Sequence, residues 1–314
     1  LYYKVNENGT IKLAETDGII LYDNNLFILE AKAGILSLSA CRGSLERMKK
    51  DASRLIGSAY SQALRTKQFI EAADKPTFED SKGRVILTIQ DKRKIDNIFL
   101  VNVTLASLGH LSTQLNSLKH LKLIHGKEWL WSVFINDLRV IAEILESPSE
   151  FLLFLKRRLI ANDFPQFSSC DELDFLMFYL HEGLYFEDMD KKDLHHLAPY
   201  GYTESLDRYY DYLGGRVSSG KKPALRTAPG FKELVGNIAS LGKEGFTTVT
   251  TTLLSFSGDT QREIIDVLKH ISPRSREDGK LHDVTFYFKQ DGIGVTFFVG
   301  PNRLAKELSR IRDH

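Results

Sequence analysis

Residues 17–34 constrain the fold of this chain more than any other stretch, because two short apolar runs flank a pair of asparagines. The stretch reads Asp-Gly-Ile-Ile-Leu-Tyr-Asp-Asn-Asn-Leu-Phe-Ile-Leu-Glu-Ala-Lys-Ala-Gly. Asn24 and Asn25 can occupy the two turn positions that need a positive φ, since asparagine tolerates the left-handed region better than most residues. The stretch therefore predicts a β-hairpin with a two-residue loop.

The predicted turn sets the register of the hairpin. In that register Asp17 faces Lys32 and Ile19 faces Glu30. Because side chains alternate between the two faces of a strand, Asp17, Glu30 and Lys32 share one face. Opposed residues lie about 5 Å apart and diagonal ones about 7–8 Å. The sequence thus predicts two carboxylates and one ammonium group close together beside apolar residues.

Such a charged trio is costly in a half-buried sheet unless the charges are paired or bind a metal ion. Asp17 and Glu30 offer the hard oxygen ligands that Mg²⁺ or Mn²⁺ prefers. Lys32 can hold a water molecule beside that metal or help to deprotonate it. These are the requirements of metal-assisted phosphodiester hydrolysis. The structural alternative is a surface hairpin with a solvated salt bridge.

The spacing between Asp17 and the Glu-Ala-Lys triplet at residues 30–32 resembles the active-site hairpin of the PD-(D/E)xK, restriction-endonuclease-like nucleases. A long helix is predicted over residues 44–73, and it contains Gln62 followed by Ala63. Several branches of that superfamily carry a Gln-Ala element on the helix after this strand. The resemblance covers roughly residues 10–105.

The resemblance implies a mixed α/β core and a divalent metal ion, Mg²⁺ or Mn²⁺. The implied metal ligands are Asp17, Glu30 and the backbone carbonyl of Ala31, and the implied catalytic residues are Asp17, Glu30, Lys32 and Gln62. The family usually has a further acidic residue on a helix before the hairpin. No clear counterpart precedes Asp17 in this chain.

The helix predicted over residues 44–73 is strongly basic on one side. From Arg42 to Lys67 there are seven Lys or Arg and two acidic residues, a net charge of +5 in a chain whose total is +1. Such a local field can attract a phosphate backbone, although these cations could equally serve only to keep the helix soluble. The residues predicted to contact nucleic acid are Arg54, Lys50 and Arg65.

Composition places the chain among ordinary globular proteins. Its 314 residues suffice for one or two domains, and 42% hydrophobic content suffices for a core. Its two cysteines form no metal-binding pattern, which fits a reducing cytoplasm. No run of about 18 apolar residues occurs, so no membrane partner is expected.

The remaining elements suggest a nuclease-like core over residues 1–105 and an accessory α/β region over residues 106–314. A first hairpin around Asn8-Gly9 is expected to add to the edge of the catalytic sheet, and strands over 84–90 and 95–105 are expected to complete it. Residues 214–230 contain four cations and no acid, which is compatible with a flexible loop that clamps nucleic acid or with plain disorder. A helix over 301–313 is expected to close the chain.

Together these features favour an α/β protein with a mixed central sheet, flanking helices and a restriction-endonuclease-like core. The leading hypothesis is a Mg²⁺-dependent nuclease that hydrolyses DNA, and the resemblance adds prokaryotic DNA processing or antiphage defence as the expected context. The alternative is a nuclease-fold module without catalysis that binds nucleic acid or a protein partner, an alternative kept open by the missing upstream acid. An RNA substrate and a homo-oligomer are also compatible with the sequence.

Overall fold

The computed structural model describes residues 1–7, 9–186, 198–199, 201–288 and 293–301. The protein has a mixed α/β fold. The described strands are β1 (Tyr2–Glu7), β2 (Thr10–Glu15), β3 (Gly18–Tyr22), β4 (Asn25–Lys32), β5 (Thr77–Glu79), β6 (Val85–Thr88), β7 (Asn97–Thr104), β8 (Leu130–Phe134), β9 (His282–Phe288) and β10 (Ile293–Val299). The described helices are α1 (Leu38–Cys41), α2 (Leu45–Ala52), α3 (Ser58–Ala72), α4 (His110–Thr113), α5 (Leu115–His120), α6 (Ile135–Ile144), α7 (Pro148–Ala161), α8 (Glu172–Glu182), α9 (Glu204–Leu213), α10 (Phe231–Ser240), α11 (Phe246–Ser255) and α12 (Gly258–Asp278).

The chain divides into two compact units. The first comprises residues 1–225 and 243–251, and the second comprises residues 226–242 with the described residues from 252 onward. The predicted boundary after residue 105 does not coincide with this division, because β8 is hydrogen bonded to β7 in one sheet. In the second unit α12 packs against the antiparallel β9–β10 hairpin. The helix predicted over residues 301–313 falls, apart from its first residue, outside the described residues.

The central sheet of the first unit is mixed and has the strand order β3-β4-β7-β8. β3 and β4 form an antiparallel hairpin, whereas β4, β7 and β8 run parallel. The connection from β4 to β7 passes through α2 and α3, which follow each other through one π-helical turn at Ser53–Gly57. The sequence therefore correctly predicted a hairpin, then a long helix and then a strand over residues 95–105, and the structure adds that this strand runs parallel to β4.

The first hairpin does not join the central sheet, so this expectation is wrong. β1 pairs with β2 and β5, and the second sheet has the order β2-β1-β5-β6. The strand predicted over 84–90 also lies in this second sheet, as β6. Tyr3 explains the pairing, because its ring packs on Phe69 and Phe78 with centroid distances of 4.6 and 5.5 Å. This aromatic cluster holds β1 next to β5 rather than next to β3.

The predicted register of the β3–β4 hairpin is also wrong. Tyr22 pairs with Asn25 and Gly18 pairs with Leu29, so the two-residue turn is Asp23-Asn24. Asp23 itself takes the positive φ, 52°. The shift is two residues, and a shift of an even number leaves every side chain on its predicted face. The face that carries Glu30 and Lys32 is therefore unchanged.

The long helix covers that face of the sheet. Leu55, Ile56, Ala59 and Ala63 are fully buried and belong to one core cluster with Ile28 and Leu100. Two alanines at this contact let the helix backbone lie close to the strands, so a side chain on the same helix stripe reaches the end of β4.

None of the described helices is both long and apolar enough to cross a membrane.

Candidate active site

Glu30 is the buried centre of the candidate site. Glu30 lies near the carboxyl end of β4, and only 1% of its surface is exposed to solvent. Thr16 Oγ1 donates a hydrogen bond to Glu30 Oε1 at 3.1 Å, and Lys32 Nζ lies 3.6 Å from Glu30 Oε2. Burial and the nearby charge of Asp17 raise the pKa of Glu30 to about 7, although Thr16 and Lys32 act to lower it. At neutral pH the carboxyl group is thus poised between its two protonation states.

Asp17 supplies the second carboxylate from the start of β3. Its side chain is exposed to solvent, and Asp17 Oδ2 accepts a hydrogen bond from the backbone N–H of Ala31 at 2.7 Å. If the observed register is extended by one residue, Asp17 stands opposite Glu30. The hairpin thus brings the two acids together, even though the predicted partner of Asp17 was Lys32.

The carbonyl group of Ala31 points toward the same side as Asp17. Leu105 N donates to Lys32 O at 3.0 Å, so the carbonyl of Lys32 points toward β7. Because successive carbonyls of a strand point in opposite directions, the carbonyl of Ala31 points away from β7 and toward the edge where Asp17 lies. The carbonyl of Ala31, the residue directly after Glu30 in that strand, and the carboxylate of Asp17 therefore lie on the same side of β4.

Lys32 connects this strand to the long helix. Its side chain is 18% exposed, and its Nζ donates a hydrogen bond to Gln62 Oε1 at 2.6 Å. Gln62 is half-buried on α3, in the position where the sequence predicted a residue facing the site. The ammonium group thus lies between a carboxylate of β4 and an amide oxygen of α3.

Two residues of the site were not predicted from the sequence. Thr16, which directly precedes Asp17, is one of them, since its hydroxyl group donates a hydrogen bond to Glu30. Asn102 stands beside Glu30 in the parallel register of β7 and is fully buried. Its Nδ2 donates to Leu55 O and Ser132 Oγ, while its Oδ1 has no hydrogen-bond partner among the described residues. A polar residue within an otherwise apolar strand was the available signal.

The donor set fits a divalent cation that keeps part of its hydration shell. Among the described residues, no three His, Cys, Asp or Glu side chains are arranged to hold a metal ion. Mg²⁺, however, is usually bound through one or two carboxylates and several waters. Burial and the charge of Asp17 hold the pKa of Glu30 high, and a bound cation would counter both effects because it favours the charged carboxylate. Asp17, Glu30 and the carbonyl of Ala31 are the groups that would bind it.

The three cations predicted to contact nucleic acid lie in different surroundings. Arg54 Nη2 donates to Ile35 O at 2.9 Å and lies 3.4 Å from Asp51 Oδ1, so it fastens the loop after β4. Lys50 is exposed on α2. Arg65 is half-buried, and its Nε lies 3.5 Å from Tyr3 Oη, which directs it toward the second sheet. The structure does not gather these three cations into one cluster with the acids.

Comparison of the chain with protein-family models, with curated proteins and with solved structures finds no match. The functional interpretation therefore depends on the geometry of the site.

Proposed function

We propose that the protein is a divalent-metal-dependent nuclease that hydrolyses phosphodiester bonds in nucleic acid, with DNA as the favoured substrate. One observation carries the proposal: Asp17, Glu30, Lys32 and Gln62, on three separate elements, converge at one end of β4. Carboxyl groups with strongly shifted pKa values are concentrated at functional sites, and Glu30 has such a shift together with a lysine and a second carboxylate beside it. The resemblance of this hairpin and helix to PD-(D/E)xK nucleases supports the same reading.

In this proposal the side chains divide the chemistry. Asp17, Glu30 and the carbonyl of Ala31 would hold Mg²⁺ or Mn²⁺, and the ion would supply Lewis acidity toward the scissile phosphate and the attacking water. The ammonium group of Lys32 would lie beside that water and stabilise the negative charge that develops on the phosphate oxygens in the transition state. Gln62 fixes the position of Lys32 through the 2.6 Å hydrogen bond.

The exposed surface at the start of the long helix is basic, which favours a polyanionic substrate. Arg42, Arg47, Lys49 and Lys50 are all exposed on and just before α2. Exposed cations on one element attract a phosphate backbone without reading its sequence.

A second candidate function is a nucleic-acid-binding module without catalysis. The observation in its favour is that the described part of the chain places two acidic side chains, rather than three, at the site. Such a module would keep the basic surface of α2 and would bind DNA without cutting it. A protein-interaction platform belongs to the same class of function.

Plasmid cleavage separates the two candidates. Supercoiled DNA is incubated with protein in Mg²⁺, in Mn²⁺ or in EDTA, and a labelled RNA is tested in parallel. We expect metal-dependent nicking by the wild type and its loss in Glu30→Gln, Asp17→Asn and Lys32→Met. Glu46→Gln, which removes an exposed acid of α2, serves as the matched control and should cut normally.

Two results would count against the nuclease. Binding of DNA in a gel-shift assay without cleavage in either metal would favour the inactive module. Cleavage that persists in both Glu30→Gln and Lys32→Met would place the active site elsewhere.

A further inference from the structure

A surface pocket lies in the first unit, between α9 and the chain that follows it. It has a volume of about 530 Å³, within the usual range for small-molecule sites. Its lining residues are polar or cationic apart from one aromatic ring and one glycine: Ser205, Arg208, Tyr212, Ser218, Ser219, Gly220 and Lys221. No acidic residue lines it, so the two cations give it a net positive charge.

Helix α9 separates its charges into two stripes. Ser205, Arg208 and Tyr212 are spaced by three and four residues, so they share one stripe that faces the pocket. The acids Glu204, Asp207 and Asp211 have the same spacing one residue earlier and form the neighbouring stripe. Asp211 is paired with Arg216 at 2.9 Å. The pocket is therefore lined by the cationic stripe of a helix whose total charge is negative.

Gly220 allows the loop after α9 to approach this helix closely, because it has no side chain. A Cβ atom at Gly220 would lie 2.5 Å from the carbonyl oxygen of Arg208 and 2.6 Å from Cβ of Tyr212, so no other residue fits without displacement. Arg208 Nε also donates to Ser219 O at 3.2 Å. These contacts hold residues 218–221 against α9, so Ser218 and Lys221 line the pocket. The four residues belong to the segment 214–230, for which the sequence was compatible with a clamping loop or with disorder.

We propose that this pocket binds a nucleotide, with the phosphate group at Arg208 and Lys221 and the base against Tyr212. A guanidinium group carries five N–H donors, and the contacts with Ser219 leave donors for a phosphate oxygen. The hydroxyl groups of Ser205 and Ser218 and the ammonium of Lys221 supply further donors. Proteins that bind single-stranded nucleic acid combine cations for the phosphates with aromatic rings on which bases stack, and Arg208, Lys221 and Tyr212 offer this combination to a single nucleotide.

The ring of Tyr212 supports a base in particular. Tyr212 is 45% exposed, so one face of its ring is open to a planar group that enters the pocket. An inorganic phosphate would use the cations and leave this ring in water. The nucleotide assignment therefore makes a prediction for Tyr212 that a plain phosphate site does not.

The proposal does not depend on the nuclease, and its test avoids the candidate active site. Calorimetric titrations are run in EDTA on the Glu30→Gln protein with adenosine 5′-monophosphate, inorganic phosphate and adenosine as separate probes. We expect the nucleotide to bind more tightly than phosphate, and adenosine to bind least. Arg208→Gln and Lys221→Gln should each weaken nucleotide binding about tenfold, since each removes a charged hydrogen bond. Tyr212→Ala should weaken it roughly tenfold while leaving phosphate binding unchanged.

Arg216→Gln is the matched control, because Arg216 carries the same charge in the same loop but is paired with Asp211 outside the pocket lining. Unchanged nucleotide binding in this variant is expected. Equal losses in Arg216→Gln and Arg208→Gln would show a diffuse charge effect and overturn the pocket. Equal affinity for phosphate and nucleotide, together with no effect of Tyr212→Ala, would overturn the nucleotide assignment, and so would the absence of binding by all three probes.

Discussion

Lys32 Nζ donates a hydrogen bond to Gln62 Oε1 across 2.6 Å, and this contact joins the candidate catalytic strand to the long helix. The side chain of Lys32 has four flexible carbons, so its ammonium group needs a fixed partner to hold one position. Glu30 attracts it from one side at 3.6 Å, and Gln62 holds it from the other. Gln62 is thus a positioning residue in the proposed mechanism.

We expect Gln62→Ala to lower kcat of nucleic-acid cleavage by about tenfold to a hundredfold, because a misplaced catalytic group costs about that much. KM should change little, since Gln62 acts through Lys32 and not through the substrate. Gln68→Ala is the matched control, because Gln68 is an exposed residue of the same helix. An equal loss of kcat in both variants would mean that the helix is perturbed rather than Lys32 displaced.

The raised pKa of Glu30 predicts a pH dependence of stability for the metal-free protein. A carboxyl group whose pKa is about 7 when folded and 4.5 when unfolded binds more protons in the folded state between these values. The free energy of unfolding therefore falls as the pH rises from about 4.5 to 7, by about 3 kcal/mol for this group. The contribution levels off about one pH unit above the folded pKa, where the carboxyl group is deprotonated in both states.

Thermal unfolding in EDTA from pH 4.5 to 8 measures this effect. Glu30→Gln should make the curve less steep by the share that Glu30 contributes, since glutamine does not titrate. The half-buried Asp137 also has a pKa raised to about 7, because of burial and the charges of Asp171 and Glu172, so it contributes with the same sign. Asp137→Asn should flatten only part of the curve, and a Glu30→Gln curve as steep as the wild type would contradict the assignment.

Metal binding should be linked to the same proton. A cation at Asp17 and Glu30 competes with the proton on Glu30, so the Mg²⁺ concentration needed for half-maximal cleavage should rise about tenfold per pH unit below pH 7. Cleavage rates measured at pH 5.5, 6.5 and 7.5 over a range of Mg²⁺ concentrations test this. A requirement that does not change with pH would separate metal binding from Glu30.

Local rules predicted which side chains of the hairpin share a face, but they missed its register. Face membership follows from alternation along the strand, which is a local property. The turn depends on Asp23, whose carboxylate reaches residues more than 200 positions later. Gly245 N and Thr247 N donate to Asp23 Oδ1 and Oδ2 at 2.8 and 3.0 Å. No short-range pattern signals that contact, so the asparagine pair was the wrong choice for the turn.

The two sheets show the same limit. The sequence predicts the strands at 2–14 and 84–90 correctly as extended segments, since their apolar patterns and turns are local. Their placement in a second sheet follows from the packing of Tyr3 on Phe69 and Phe78. Likewise, β8 joins β7 although 25 residues separate the two strands. Gln62 could be predicted because the Gln-Ala element of the resemblance singles it out and because helix spacing places it between the buried Ala59 and Ala63.

Asp23 itself offers a stability prediction. Its carboxylate also accepts a hydrogen bond from Thr247 Oγ1 at 2.6 Å, so it serves the first turn of α11 much as an N-cap residue would. Burial acts to raise the pKa of Asp23, but the hydrogen bonds from Thr247 and Gly245 outweigh it and lower the pKa. Its stabilisation is therefore present above the ordinary carboxyl pKa and is lost as the pH falls through the lowered value.

We expect Asp23→Ala to reduce the free energy of unfolding by about 2–3 kcal/mol at pH 7, because three hydrogen bonds to a charged group are lost. Asp23→Asn should lose less, since asparagine tolerates the positive φ of 52° and can still accept a hydrogen bond. Urea unfolding at pH 7 gives both values. An Asp23→Asn loss as large as that of Asp23→Ala would show that charge, rather than geometry, dominates.

The last prediction concerns the buried ion pair of Arg158 and Glu172, which joins α7 to α8. Arg158 Nε lies 2.8 Å from Glu172 Oε1, and the side chains are 1% and 3% exposed. Trp131 Nε1 donates to the same oxygen at 2.7 Å. Glu172→Gln keeps an acceptor for Trp131 but leaves the guanidinium buried without its counter-charge, so the free energy of unfolding should fall by about 3–5 kcal/mol.

The double variant Arg158→Met, Glu172→Gln distinguishes the cost of an unpaired charge from the loss of the pair itself. Because the attraction within a buried pair roughly offsets the desolvation of its members, removing both charges should recover much of the loss in the single variant. Urea unfolding of the wild type, both single variants and the double variant completes the cycle. If the two single losses simply add in the double variant, the pair is not coupled, and the stability of this helix contact lies instead in the packing of the Arg158 guanidinium over the Phe175 ring at 3.9 Å.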